Sequence, residues 1–486
     1  MRICLISSEF APYAKAGGLG DAVGALASRL HRHGHDVRVF IPLYSSIDRQ
    51  QAGLVPVEFL QDIKLSTAGF GLRYSVQTGC QVDGLWVYFI DCPLLYSRPG
   101  IYTGDDDEHM RFIMLSRGAI ECCQRMAWSP QIIQCNDWQT GLVPLFLKRG
   151  YAWDSLFENT RTVLSIHNIG YQGVFGMEIL DAAGLSDHQD LLPQTDLQHG
   201  KINFLKTGVL HADALTTVSP TYAREICTAE YGMGLEDLLK QRSGDLHGIL
   251  NGVDYDAWCP ERDPFIPHPY SNDNLLGKAH NKNALQTRFD LTADPEIPLV
   301  GVVSRLVTQK GFDLAYSVLP RLLREQKMQL AVLGSGEYRY EEFFSWLAHQ
   351  FPSSAGFWRG FNNPLAHLIE AGSDIFLMPS LYEPCGLNQM YSLRYGTVPV
   401  VRKTGGLADT VIPHTEPDGN GIVFEHANES GLTWALQTAL ELYSDRASWR
   451  KLIANGMRQD FSWDRQVREY EQLFQKLVLP AAVAGN

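Results

Sequence analysis

The 486-residue chain lacks several features that identify common classes of protein. Its nine cysteines form no CxxC pair, so neither a zinc site nor a disulfide framework is indicated, and reduced thiols are the simplest interpretation. A net charge of −13 argues against a general nucleic-acid-binding face, although it allows a local basic pocket for a small anion. No apolar run reaches the roughly 18 residues of a membrane helix, and the N-terminus lacks the basic segment and cleavage site of a signal peptide. We therefore expect a cytoplasmic protein that binds neither nucleic acid nor a membrane.

Apolar strands and helices alternate along both halves of the sequence. Residues 2–8 form a buried type of strand, and a glycine-rich loop, a helix and a second strand at 36–42 follow, which is the βαβ opening of a doubly wound α/β domain. Residues 54–91 alternate as antiparallel strands do. A segment rich in Pro, Asp and Asn at 255–280 indicates a linker, after which a new strand–helix series begins at 298. We predict an α/β protein with parallel sheets and two domains, residues 1–255 and 256–463.

A short glycine phrase occurs once in each half, directly after an apolar strand. The first copy is KAGGLGD at 15–21 and the second is KTGGLAD at 403–409. Glycines at a strand–helix corner let backbone N–H groups approach an anion, which the helix dipole also favours, although a tight turn with a solvated lysine has the same pattern. The two copies predict two α/β domains that face one ligand.

Three charged residues in the second half lie where strands are predicted to end. Arg305 and Lys310 occupy a polar loop, an arrangement suited to bidentate and point-charge contacts with phosphate. Two surface cations would be the simpler interpretation of the pair alone, and its position at a strand end favours the functional one. Glu383 precedes a Pro-Cys-Gly turn, where it could bind sugar hydroxyls or stabilise a helix N-terminus.

Four further side chains have two interpretations each. His167 and Asp137 end apolar strands, and the first could be a packed core histidine and the second the N-cap of the following helix. Phe361 could stack on a base or be an exposed aromatic residue at the edge of the core. Tyr96 could stack on a sugar or pack within its own loop. The residues alone leave these alternatives open.

Five phrases occur together in a fixed order. They are KAGGLGD at 15–21, HNIGYQGVF at 167–175, LNGVD at 250–254, SRLVTQKGFDL at 304–314 and EPCGLNQMYSLRYGTVPVVRKTGGLADTV at 383–411. With them, essentially the whole chain resembles bacterial glycogen synthase, the ADP-glucose type shared with plant starch synthases. The phrase at 383–411 is highly specific, whereas KAGGL alone is less so.

This resemblance implies a GT-B fold, with two Rossmann-like domains that face a deep interdomain cleft, and a C-terminal helix at 464–486 that completes the first domain. The first domain would lie on the acceptor side and the second on the donor side. The implied reaction moves glucose from ADP-glucose to the non-reducing 4-hydroxyl of glycogen or a malto-oligosaccharide, with retention at the anomeric carbon. The family requires no metal and no cofactor, and its leaving phosphate is the favoured base for the acceptor hydroxyl.

Roles carry over from the family by position. The implied catalytic residues are Glu383, Arg305, Lys310, His167 and Asp137. Arg305 and Lys310 would neutralise the leaving diphosphate, and Glu383 and His167 would bind glucose hydroxyls. ADP-glucose would be bound by Lys15, Gly17, Gly18, Asn251, Phe361, Leu387 and Asn388. Tyr96 would lie toward the acceptor.

Two departures and three alternatives accompany the assignment. Many retaining GT-B enzymes have a second Glu where this chain has Tyr391, a change that the glycogen synthase branch shares, and Gln139 stands where the family more usually has His. A relative that uses UDP-glucose or a small acceptor, and a non-catalytic glucan-binding protein, are the alternatives. An oxidoreductase is a weak one, because no clean GxGxxG follows the first strand.

Overall fold

The computed structural model describes residues 1–65, 71–81, 83–325 and 327–479. Its chain divides into two compact units. Unit 1 comprises Met1–Val218, Ala223–Gly252 and the chain from Trp463 onward, and unit 2 comprises Ser219–Tyr222 and Val253–Ser462. No helix within the described ranges combines the length and the apolar character needed to cross a membrane.

Unit 1 is built on a sheet with helices along its connections. Its strands are β1 (Arg2–Ile6), β2 (Asp36–Pro42), β3 (Val55–Pro56), β4 (Ile63–Lys64), β5 (Arg73–Cys80), β6 (Trp86–Asp91), β7 (Ile132–Asn136), β8 (Arg161–Ile166), β9 (Val174–Gly176), β10 (Lys201–Asn203), β11 (Ala214–Thr217) and β12 (Leu246–Gly248). Its helices are α1 (Gly18–Arg32), α2 (Pro93–Tyr96), α3 (Glu108–Arg125), α4 (Val143–Leu145), α5 (Leu180–Ala183), α6 (Gln194–Gln198), α7 (Phe204–His211), α8 (Pro220–Glu225, which straddles the unit boundary) and α9 (Glu236–Gln241).

The main sheet of unit 1 has the order β12-β11-β8-β7-β1-β2-β6-β5-β3, and β4 also pairs with β5. The pairs from β12 to β6 are parallel, whereas β3, β4 and β6 pair antiparallel with β5. Four consecutive residues of β1, Ile3–Ile6, have no exposed surface, as expected for a central parallel strand covered on both faces.

Unit 2 contains a six-stranded sheet whose paired strands are all parallel, in the order β15-β14-β13-β16-β17-β18. The strands are β13 (Leu299–Leu306), β14 (Gln329–Gly336), β15 (Ala355–Arg359), β16 (Ile375–Met378), β17 (Val398–Arg402) and β18 (Ile422–Phe424). The helices are α10 (Leu276–Arg288), α11 (Ala315–Arg324), α12 (Tyr338–Gln350), α13 (Asn363–Gly372), α14 (Asn388–Arg394), α15 (Gly405–Thr410), α16 (Glu429–Ser444) and α17 (Arg446–Met457).

Each sheet has a point where the strand order reverses. In unit 1, β1 lies between β2 and β7, and in unit 2, β13 lies between β14 and β16. Connections leave such a strand and its neighbour toward opposite sides, which opens a crevice at the carboxyl ends where ligands of open α/β sheets bind. The fold therefore directs attention to the residues that follow β1, β7 and β8 in unit 1 and β13, β14 and β16 in unit 2.

The last helix, α18 (Trp463–Val478), packs on α1 in unit 1. Its buried stripe includes Val467, Tyr470 and Phe474, which recur at helical spacing. Glu471 accepts hydrogen bonds from Nε2 of His35 (2.8 Å) and Nδ1 of His33 (3.1 Å). Residues 480–486 of the predicted helix lie outside the described residues, as do residues 66–70 and 82 of the predicted antiparallel region.

Several predicted elements differ in detail from those observed. Arg305 lies within β13, opposite Ser335 of β14, and not in the loop that follows. The predicted helix from Thr140 is a 3₁₀ turn at Trp138–Thr140, followed by the short α4 and a π-type turn at Phe146–Gly150. The sequence does not predict strand β15. Only two of its five residues are buried, so its sequence lacks the apolar pattern by which a strand is recognised.

Candidate functional site

A cavity of about 360 Å³ lies at the carboxyl edge of the unit 2 sheet. It is bounded by the ends of β13, β14 and β16 and by the start of α14, as expected at the switch point of this sheet. All six residues that the sequence analysis assigned to the donor in this half line it: Arg305, Lys310, Phe361, Glu383, Leu387 and Asn388. The fold thus brings together residues that are up to 83 positions apart.

An ion pair between Lys310 and Glu383 forms one side of the cavity. Nζ of Lys310 donates to Oε2 of Glu383 at 2.6 Å, and the hydroxyl of Ser380 donates to the same oxygen at 2.9 Å. Both charged side chains are largely buried. An ammonium has three N–H donors, so this pair leaves Lys310 with donors for further oxygen atoms. Oε1 of Glu383 accepts no hydrogen bond from any residue in the described ranges.

The backbone of Glu383 is fixed by the second glycine phrase. The amide of Gly406 donates to the carbonyl of Glu383 at 3.1 Å. A Cβ at Gly405, where φ is +44°, would lie 1.9 Å from that carbonyl oxygen, and a Cβ at Gly406 would lie 2.1 Å from the carbonyl oxygen of Cys385. Glycine is required here because two backbone segments meet, which holds Glu383 at the edge of the cavity.

The other lining residues differ in how firmly they are held. Nδ2 of Asn388 donates to the carbonyl of Val303 at 2.6 Å, which ties the start of α14 to β13. Phe361 follows Gly360 in the loop before α13, and 85% of its surface is exposed. The ring therefore lies exposed beside the cavity, and its stacking on a base stays a prediction.

Unit 1 places Asp137 and His167 at the adjacent ends of β7 and β8. Oδ1 of Asp137 accepts the amides of His167 (2.7 Å) and Asn168 (3.4 Å), so its carboxylate does not cap the following turn. Asp137 has φ +56°, a region that non-glycine residues rarely adopt and that recurs at functional sites. Nε2 of His167 donates to Oδ1 of Asn136 at 3.1 Å, which leaves Nδ1 as the acceptor of the neutral ring.

Burial sets the protonation of both groups. It raises the pKa of Asp137 to about 7, an effect that the two amide hydrogen bonds oppose and the charge of Glu9 reinforces. Burial also lowers the pKa of His167 to about 4. At neutral pH the imidazole is therefore uncharged, and Asp137 exists in both protonation states.

The first glycine phrase is more open than the second. A Cβ at Gly17 or Gly18 would meet no atom within 4 Å, and Lys15 is half exposed and pairs with Asp21 at 2.5 Å. The amide of Gly17 donates to Oε2 of the buried Glu9 at 3.0 Å. The predicted phosphate contact of the Gly17 amide would therefore have to replace this bond.

Two predicted residues of unit 1, Asn251 and Tyr96, are buried, and they differ in whether their polar atoms are hydrogen-bonded. Asn251 follows β12, and its Oδ1 has no partner among the described residues, so it is a polar group available to a ligand. Tyr96 has no exposed surface, and its hydroxyl donates to the carbonyl of Arg111 at 2.7 Å. This burial contradicts direct contact of Tyr96 with an acceptor sugar and agrees with packing, so Tyr96 is not carried into the proposal below.

Sequence reasoning missed the residues that support the predicted ones. Glu9 holds the amides of Ala16 and Gly17 and accepts the hydroxyl of Tyr102 at 2.7 Å. Asn136 orients His167, and Ser380 contacts Glu383. A signal was present, because each of these residues follows or ends an apolar strand at the edge where the predicted residues lie.

Tyr391 stands on α14 where many retaining enzymes of this fold have Glu. Its ring lies flat on Trp258, with ring centroids 3.9 Å apart, and His367 covers the other face of Trp258 at 3.8 Å. Asp263 accepts Nδ1 of His367 (2.8 Å) and the hydroxyl of Tyr395 (2.5 Å). An aromatic stack thus occupies the position of a second carboxylate.

Two family models match the chain. Residues 2–241 match the starch synthase catalytic domain, and residues 284–455 match the glycosyl transferases group 1. Together the two matched segments include every predicted site residue except Asn251.

Curated relatives and solved structures match over nearly the full length. The chain is 44% identical over 486 residues to a glycogen synthase of Koribacter versatilis, covering 98% of each chain. It is 46% identical over 487 residues to a glycogen synthase of Myxococcus xanthus, covering 98% of this chain and 100% of that one. The catalytic domain of starch synthase IV from Arabidopsis thaliana, solved with ADP and acarbose, is 36% identical with a TM-score of 0.89, covering 98% and 99% of the two chains.

Proposed function

The chain belongs to the glycogen synthase family, and from that premise we propose that it transfers glucose from ADP-glucose to the non-reducing 4-hydroxyl of an α-1,4-glucan, with retention at the anomeric carbon. The fold is of the GT-B type, with two α/β domains built on parallel sheets. The observation that carries the proposal is the unit 2 cavity, where Arg305 and the Lys310–Glu383 pair meet the start of α14.

The cations of this cavity suit a diphosphate leaving group. Departure of ADP leaves negative charge on phosphate oxygens, and donors already held in place lower the energy of that state without reorganisation. Lys310 is held by Glu383, and Arg305 projects from the end of β13. The backbone amides of Leu387 and Asn388, at the start of α14, supply further donors for the distal phosphate in this proposal. The solved relative from Arabidopsis thaliana, which holds ADP, supports a nucleoside diphosphate as the ligand.

The carboxylate of Glu383 suits the sugar. Its Oε2 is used by Lys310 and Ser380, so Oε1 faces the donor glucose as a hydrogen-bond acceptor in our proposal. The same charge stabilises the positive charge that develops on the anomeric carbon as the bond to phosphate breaks. Phe361, with most of its ring exposed beside the cavity, is the proposed platform for the adenine.

Unit 1 supplies uncharged and weakly acidic groups for the glucosyl. The neutral His167 accepts a glucose hydroxyl through Nδ1, near the 6-position, and Asp137 and Asn251 offer Oδ2 and Oδ1 to other hydroxyls. Lys15 and the corner at Gly17 and Gly18 add a cation and backbone donors toward the donor phosphates or the glucosyl. As the family resemblance implies, the leaving phosphate accepts the acceptor's proton in a same-face attack.

The test is the choice of donor. Purified protein is incubated with glycogen and either labelled ADP-glucose or labelled UDP-glucose, and the glucose incorporated into polymer is counted. We expect incorporation from ADP-glucose and little from UDP-glucose. Preference for UDP-glucose would overturn the donor assignment while leaving the phosphate-binding groups in place, and no incorporation from either would overturn the reaction.

A further inference from the structure

The aromatic stack in unit 2 joins α13 to α14, the two helices that border the proposed donor site. Trp258 lies between His367 of α13 and Tyr391 of α14, and its indole is within 6° of parallel to each ring. It comes from the segment 255–280, for which the sequence predicts only a linker. Because rings in contact at 3.8 and 3.9 Å cannot approach further, the indole acts as a spacer between the two helices.

One buried carboxylate orients the stack from both helices. Oδ2 of Asp263 accepts Nδ1 of His367 at 2.8 Å and the hydroxyl of Tyr395, which ends α14, at 2.5 Å. Oδ1 accepts the amide of Phe265 at 2.8 Å. Burial acts to raise the pKa of Asp263, but these hydrogen bonds outweigh it and hold the pKa below its usual value. Asp263 is therefore a charged acceptor shared by α13 and α14 at neutral pH.

Each of these helices begins at a group that is proposed to bind one part of ADP. Phe361, the proposed platform for the base, directly precedes Asn362, whose side chain accepts the amide of Leu365 at 3.0 Å and caps α13. Helix α14 begins at Asn388, whose amide is a proposed donor to the distal phosphate. Phe361 and Asn388 line the same cavity. The separation of α13 and α14 therefore sets the distance between the base platform and the diphosphate donors.

A second link between the helices does not involve the stack. The hydroxyl of Ser392 on α14 hydrogen-bonds to Oε2 of Glu370 on α13 at 2.7 Å, and both residues are buried. Because this bond remains when Trp258 is replaced, we expect the helices of such a variant to stay packed together. What changes is how precisely their first turns are spaced.

We propose that Trp258 and Asp263 are positioning residues for the donor, which hold the base platform and the diphosphate donors at the separation that a nucleoside diphosphate requires. The inference rests on the proposed function, which supplies the roles of Phe361 and Asn388. A ligand that touches both groups gains from a separation fixed in advance, because less ordering is needed on binding. AMP lacks the distal phosphate and inorganic diphosphate lacks the base, so neither ligand gains from that separation.

The test measures the binding of ADP, AMP and inorganic diphosphate to the full-length protein and to Trp258→Ala by titration calorimetry. We expect the Kd for ADP to rise by about tenfold, the equivalent of one lost hydrogen bond to a charged group, and the other two Kd values to change by less than about twofold. Trp258→Phe keeps a ring between the helices and should recover most of the ADP affinity. Leu436→Ala, which shortens a buried side chain of α16, is the control: it should lower the Tm and leave all three Kd values unchanged.

The pattern across the three ligands separates the hypotheses. An unchanged Kd for ADP in Trp258→Ala would overturn the inference, and so would equal weakening of ADP and AMP, because the stack would then support the site only in general. Equal weakening of ADP and diphosphate would overturn it as well, since the stack would then act on α14 alone. Should circular dichroism show that Trp258→Ala does not fold, Asp263→Asn and Tyr391→Ala decide by the same criteria. Failure of the parent to bind ADP would overturn the proposed donor and this inference with it, whereas a wrong pattern in the variants alone leaves the proposed function standing.

Discussion

The two glycine phrases are nearly the same in sequence and opposite in structure. Both follow a parallel strand and begin a helix, α1 at Gly18 and α15 at Gly405. In the first corner a Cβ at Gly17 or Gly18 would meet nothing within 4 Å, whereas in the second a Cβ would come within 1.9 to 2.1 Å of backbone oxygens. The first is an open corner, and the second is a packed corner.

This difference separates two uses of glycine. In the open corner the missing side chain leaves backbone accessible to a ligand, and in the packed corner it lets one backbone segment lie against another. The packed corner supports the proposed site by position, because the segment it contacts is Glu383–Cys385. The following predictions test this distinction, from the largest expected effect to the smallest.

The largest effect is expected in the packed corner, from Gly405→Ala. The new Cβ would overlap the carbonyl oxygen of Glu383, and φ of +44° is unfavourable for alanine, so the segments must separate. We expect a loss of more than about 3 kcal/mol in the free energy of unfolding and no detectable transfer activity. Thermal unfolding followed by circular dichroism measures the first. Gly18→Ala is the matched control, with an unchanged Tm, and equal Tm values for the two variants would contradict the comparison.

Lys310→Ala tests what the packed corner supports. The variant removes the partner of Glu383 and a proposed phosphate contact, so kcat should fall by about 10²- to 10³-fold, as for other groups that stabilise developing charge. Affinity for glycogen, measured by gel electrophoresis, should remain close to that of the parent. A comparable loss of glycogen binding would argue against the phosphate role. Lys310→Arg keeps the charge and should recover part of the activity.

The lysines that open the two phrases make a matched pair. Lys15 pairs with Asp21, and Lys403 pairs with Glu425 at 2.6 Å, and both side chains are about half exposed. If only the open corner contacts the donor, Lys15→Ala should lower kcat/KM for ADP-glucose by about tenfold to a hundredfold, and Lys403→Ala should change it less than twofold. Steady-state rates at varied ADP-glucose measure both. Similar losses in the two variants would remove the functional distinction between the corners.

The comparison also shows how far the sequence could predict this protein. Period and strand-end position located most main-sheet strands, and the family resemblance assigned to the donor six separated residues that the fold brings to one cavity. They could not tell the open corner from the packed one, because the difference lies in what packs against the glycines and not in the glycines. The same limit explains Tyr96, which the resemblance places toward the acceptor and which is buried. Whether its side chain is exposed depends on which distant segments of the chain pack over it, and the local sequence does not contain that information.

The smallest effect is expected at Asp137, whose pKa is raised to about 7 chiefly by burial and in addition by the charge of Glu9, the residue that holds the amide of Gly17 in the open corner. Between about pH 4 and 7 the folded state holds a proton on Asp137 that the unfolded state has lost, so the contribution of Asp137 to the stability of the parent falls as pH rises through this window. Asp137→Asn keeps an oxygen for the amides of His167 and Asn168 and cannot ionise. The Tm of the variant minus that of the parent should therefore increase by a few degrees from pH 4 to pH 7. The lowered pKa of His167 acts in the opposite direction, but it is present in both proteins and cancels in the difference.

A Tm difference that stays constant across this range would show that Asp137 ionises normally, and the open corner would then lack the protonated carboxyl that distinguishes its surroundings.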